Sequence, residues 1–65
     1  MFVFADAGTD TIVGYQAGED FDLSALDVTA ANVTIVSGTV TVELGANDLI
    51  IVGANGVTMN DMIFG

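Results

Sequence analysis

The sequence predicts an all-β fold of short strands joined by Gly, Asn and Asp turns, closed either as a β-solenoid or as a small β-sandwich. Three observations predict it. Apolar residues alternate with period two in Val33-Thr34-Ile35 and in Thr39-Val40-Thr41-Val42-Glu43-Leu44, the spacing that puts every second side chain on one face of a strand. No apolar set repeats at helical spacing over a long window. The eight glycines punctuate segments rich in Val, Ile and Thr, residues whose branched side chains suit a pleated, half-buried surface.

Taken in order, Phe2-Val3-Phe4 reads as a first short strand and Asp6-Ala7-Gly8 as a turn. Thr11-Ile12-Val13 and Phe21-Asp22-Leu23 read as the next two strands. Val33-Thr34-Ile35 and Thr39 to Leu44 form a hairpin over Ser37-Gly38, where glycine tolerates the positive φ of a tight turn. Gly45-Ala46-Asn47-Asp48 is a second turn. It leads into Leu49-Ile50-Ile51-Val52, which is apolar on both faces and is expected to be covered on both sides, by this chain or by a neighbour.

Two segments echo one another. Val28-Thr29-Ala30-Ala31-Asn32-Val33 resembles Val57-Thr58-Met59-Asn60-Asp61-Met62, and in each a Thr can cap one helical turn before an apolar strand. Gly45-Ala46-Asn47 returns as Gly53-Ala54-Asn55. Such echoes suit stacked rungs, and they also suit plain turn chemistry.

The whole chain, residues 1–65, reads as a single small β domain. Nine Asp and Glu residues face no Lys, Arg or His, for a net charge of −9. A chain without cations has nothing to set against phosphate, which excludes nucleic-acid binding on charge. The apolar runs are too short for a membrane-spanning helix, and the lack of Cys and His excludes disulfides and Cys/His zinc sites. A domain this small buries only about 60% of the surface its unfolded chain exposes. Outside stabilisation must therefore come from a bound cation or from other copies of the chain.

Six of the nine acids lie in the first 27 residues: Asp6, Asp10, Glu19, Asp20, Asp22 and Asp27. Asp6, Asp10, Asp20 and Asp22, with turn carbonyls, are the candidate ligands for Ca²⁺, a hard cation that takes carboxylate and carbonyl oxygens. A solvated acidic turn is the alternative reading of the same residues. An EF-hand is excluded. Asp20, Asp22 and Ser24 imitate its first ligands, but Ala25 stands at the turn glycine and Ala31 at the bidentate Glu.

Ala5-Asp6-Ala7-Gly8-Thr9-Asp10-Thr11-Ile12-Val13 fits the second half of the calcium-binding β-roll nonapeptide. The run from Gly8 through Gly14-Tyr15-Gln16-Ala17-Gly18-Glu19-Asp20 to Phe21-Asp22-Leu23-Ser24-Ala25-Leu26 resembles the C-terminal region of RTX proteins and related type I secretion substrates. The similarity continues through Asn47-Asp48-Leu49-Ile50-Ile51-Val52-Gly53 to the terminal Ile63-Phe64, so it covers essentially the whole chain. Two departures are visible: Asp20-Phe21-Asp22 is one residue short of the usual spacing, and Tyr15 stands where Phe is common.

The resemblance implies a β-roll, bound Ca²⁺ and export to the cell surface or medium by a type I exporter that reads an uncleaved C-terminal signal. Thr58, Asp61, Met62, Ile63 and Phe64, within Val57 to Gly65, would carry part of that signal. The first six residues lack the charged and apolar regions of a cleavable signal peptide.

Catalysis has little to work with, since Ser24, Ser37 and Tyr15 have no His, Lys or Cys beside them. The expectation is a protein that is not an enzyme. The leading reading is a secreted, calcium-stabilised structural subunit that self-assembles into an extracellular fibre or surface coat. Leu49, Ile50, Ile51 and Val52, with Phe2 and Phe4, are the candidate self-association residues. The alternative is a type I secretion and folding module of a larger RTX protein; a calcium-dependent adhesin has no aromatic platform in its favour.

Overall fold

The computed structural model describes residues 1–64 and is built of short strands with three single 3-10 turns. The strands are β1 (Phe2–Val3), β2 (Gly8–Thr11), β3 (Phe21–Asp22), β4 (Val33–Val36), β5 (Thr39–Glu43), β6 (Asp48–Val52) and β7 (Met62–Ile63). The all-β expectation holds. No helix among the described residues is long and apolar enough to cross a membrane.

The strands form two sheets. One has the order β1-β3-β7 with both pairs parallel, and the other the order β2-β6-β5-β4. In the second sheet β2 runs parallel to β6, and β6-β5-β4 is an antiparallel meander. The expected hairpin is present, with Val36 paired to Thr39 across Ser37 and Gly38, both at positive φ. Such a two-residue turn matches the right-handed twist of the strands it joins.

Both sheets contribute to one core. Phe21 from the first sheet, Leu23 just after it, and Val40, Val42, Leu49 and Ile51 from the second sheet are fully buried. The alternation read from the sequence explains the second group, since Val40 and Val42 pair in register with Ile51 and Leu49. Three rings pack around Phe21, with centroids of Phe2, Phe4 and Tyr15 at 5.4, 5.9 and 5.8 Å.

Two expectations shift. The second strand is Gly8–Thr11 rather than Thr11-Ile12-Val13: Gly8 opens the strand instead of closing a turn, and the chain bends away at Val13, which is 90% exposed. Ile12 still extends the pairing by donating its N–H to the carbonyl of Val52 at 2.8 Å. Within Leu49-Ile50-Ile51-Val52, Leu49 and Ile51 are fully buried while Ile50 and Val52 are half-buried. Within this chain only one face of that strand meets the core.

The two echoing segments share one local design. Each folds as a 3-10 turn, Ala30–Asn32 or Met59–Asp61, that runs directly into a strand. Asn32 Oδ1 accepts from the Thr29 N–H at 3.0 Å, and Asp61 Oδ2 accepts from the Thr58 N–H at 3.0 Å. Side chains three residues on thus satisfy donors that the turn cannot. Asp61→Asn is expected to leave stability unchanged, because Asn32 does the same work in the other copy. Asp61→Ala is expected to cost about 1 kcal/mol, read as a lowered thermal midpoint.

Candidate calcium ligands and association edges

The four candidate calcium ligands are spread along two strands and the bends that precede them. Asp6 is exposed at the bend between β1 and β2, and Asp10 is exposed within β2. Asp20 is exposed just before β3, where its carbonyl accepts the Phe2 N–H at 2.8 Å. Asp22 is half-buried in β3, and its Oδ1 accepts the Ser24 N–H at 2.9 Å. Hydrogen bonds from the Ser24 side chain and backbone hold the Asp22 carboxyl below its usual range. Among the described residues no three acidic side chains converge into a group that would hold a metal ion.

The residues expected to carry a secretion signal have structural duties here. Thr58 and Asp61 cap the last 3-10 turn, Met62 is buried, Phe64 is half-buried against the core, and Ile63 is 38% exposed. Gly65 lies outside the described residues.

The candidate association residues divide. Leu49, Ile51 and Phe4 are enclosed in this chain's own core, whereas Phe2, Ile50 and Val52 are half-buried. The open surface lies instead at the strand edges, which neither composition nor hydropathy marks. β1 and β7 are the edges of one sheet, and β2 and β4 are the edges of the other. Val3 on β1 is 65% exposed and Val36 on β4 is 63% exposed. The short link Phe4 to Ala7 leads β1 directly into β2, and on the way from β6 to β7 Ala54 donates its N–H to the carbonyl of Gly38 in the β4–β5 turn at 3.0 Å. The first strand pair therefore forms one end of the molecule, here called the head, and β7 with β4 forms the tail.

Hydrogen bonds show which backbone groups are left over at the head. Phe2 and Phe4 donate inward to the carbonyls of Asp20 and Asp22 at 2.8 and 3.0 Å, so the alternation turns the N–H and C=O of Val3 outward. Ile12 donates inward to Val52, so those of Thr9 and Thr11 also turn outward.

One polar group sits oddly. The Tyr15 hydroxyl oxygen is enclosed and lacks a hydrogen-bond partner. Burial, then the charges of Asp61 and Glu19, push the Tyr15 phenol above its usual range. The Tyr15 ring packs on Phe21, and nothing local in the sequence brings Asp61 to its hydroxyl.

Compared with known proteins, the chain matches no family model, no curated protein and no solved structure.

Proposed function

We propose that this chain is a secreted structural protein: a self-assembling, calcium-stabilised subunit of an extracellular fibre or surface coat, whose strands stack in the manner of a β-solenoid. The observation that carries the reading is the pair of open edges at each end of a fold this small. Unpaired strand edges are templates for another chain, and stable folds usually guard them with Lys or Pro, neither of which this sequence contains. Nine carboxylates without one cation oppose close packing of copies, so calcium or acid favours assembly by lowering that repulsion. In this reading Asp6 and Asp10 at the head, with Asp20 and Asp22, bind Ca²⁺ once copies bring further oxygens beside them. The role is structural rather than catalytic.

A second reading is the type I secretion and folding module of a larger protein. The first strand pair in the sequence is the open head, where a preceding parallel rung would stack in chain order. Export by a type I exporter and a location outside the cell belong to both readings.

Electron microscopy in calcium and in chelator tests the proposal. Filaments or sheets in calcium, dispersed by chelator, are expected. Dispersed particles under both conditions would leave the second reading as the better one.

A further inference from the structure

We infer that copies of this chain stack head to tail, with β1 of one copy adding to β7 of the next and β2 adding to β4, and with Asp10 as the gate on the contact. The inference rests on the self-assembly reading and specifies its interface. It comes from strand direction, hydrogen-bond parity and side-chain face, which agree at both edges.

Direction comes first. β1, β3 and β7 are mutually parallel, so β1 of a translated copy meets β7 in parallel and continues that sheet without a change of pattern. β4 is antiparallel to β5, which is antiparallel to β6, so β4 runs with β6 and therefore with β2. The same head-to-tail step thus brings β2 against β4 in parallel.

Parity follows. Leu23 donates to the carbonyl of Ile63 at 2.9 Å, so Ile63 faces inward and the Met62 carbonyl and Phe64 N–H face the open tail. Val3 of the next copy has both of its backbone groups turned toward them. Within one copy Phe2, Phe21 and Met62 stand in one register row and Val3, Asp22 and Ile63 in the next. Continuing those rows sets Phe2 of the next copy beside Met62, and its Val3 beside Ile63. In the other sheet, the tight hairpin turns Val36 and Thr34 toward β5 and leaves Ile35 facing outward.

Face decides the control. Asp10 lies in register with Ile51, and Gly8 with Leu49, so Asp10 is on the core side of its sheet. Stacking would carry this carboxylate alongside Val33 and Ile35, the core-side residues of a tail edge strand that has no charge of its own. An inward-pointing charge is a common guard on an edge strand, and it is released by protonation or by a bound cation. Head-to-head contact would oppose Asp10 to Asp10, which disfavours it. Each copy adds four strands to one sheet and three to the other. The excess of about 5 Å per copy coils the stack with the three-stranded sheet inside. Such a contact does not close on itself and grows as a filament.

The chain has no cysteine, so introduced pairs report without ambiguity. Val3 and Ile63 of one copy are two strand spacings apart, about 9.5 Å, beyond the roughly 7 Å reach of a disulfide. The double variant Val3→Cys/Ile63→Cys, oxidised in calcium, is expected to give a ladder of cross-linked multimers that reductant collapses. In chelator, where no cation neutralises the Asp10 carboxylate, Asp10→Asn is expected to lower the protein concentration for assembly by roughly tenfold, about 1.4 kcal/mol. Either single-cysteine variant giving the same yield of dimer as the double variant would replace this contact with head-to-head or tail-to-tail pairing. Sedimenting assemblies without any cross-link would overturn the interface and leave self-assembly standing. A monomer in every sample would overturn both.

Discussion

Phe21→Ala is expected to abolish the folded state. Phe21 is fully buried on the central strand of the three-stranded sheet and carries the Phe2, Phe4 and Tyr15 rings around it. Emptying such a site costs about 3–5 kcal/mol. A single core in a chain under about 70–80 residues rarely supplies more than that. Both outer strands of the sheet pair with β3, so its loss leaves neither with a partner. The expected result is loss of the cooperative thermal transition in circular dichroism. Val13→Ala, at a 90% exposed position, serves as the control and should leave that transition in place. A cooperative transition retained by Phe21→Ala within a few degrees would mean that the aromatic cluster does not hold this sheet.

Gly53→Ala should loosen β2 from β6 while leaving the meander folded. Gly53 follows β6 at φ +88°, and a Cβ there would stand 2.5 Å from the carbonyl oxygen of Ile12. The left-handed backbone alone costs an alanine on the order of 1–2 kcal/mol, and the collision pushes against the segment that locks β2 to β6. Hydrogen exchange is expected to speed up at Ile12, whose N–H is bonded to Val52, while Val40 and Val42 keep their protection. Since β2 is a docking edge, assembly should fall with it. Uniform loss of protection across β4, β5 and β6 would show instead that the head and the meander unfold as one unit.

The sequence made part of this architecture legible and hid the rest for a physical reason. The hairpin was visible because alternation and a Ser-Gly turn are local signals, and the structure places Val40 and Val42 inward as that alternation requires. The two turns were visible because Thr29 and Thr58 each precede one helical turn and an apolar strand. That pattern named the Thr as the cap and did not name Asn32 and Asp61, whose side chains accept the Thr N–H groups. The parallel pairing of β2 with β6 joins residues about forty positions apart, and no local pattern encodes it. Nor does one encode the approach of Asp61 to Tyr15. The acids were conspicuous, but their spacing along the chain does not tell which share a face, and Asp10 and Asp22 lie in different sheets. Apolar run length pointed to Leu49 and Ile51 as sticky, whereas they are fully buried in their own core. Open edges such as β1 and β7 are defined by what fails to pair with them, which only the topology reveals.

Sedimentation velocity at micromolar concentration, in calcium and in chelator, tests the central claim most directly. Self-assembly predicts fast, heterogeneous species in calcium that shift toward the monomer in chelator. A single 6.6 kDa species in calcium would contradict it.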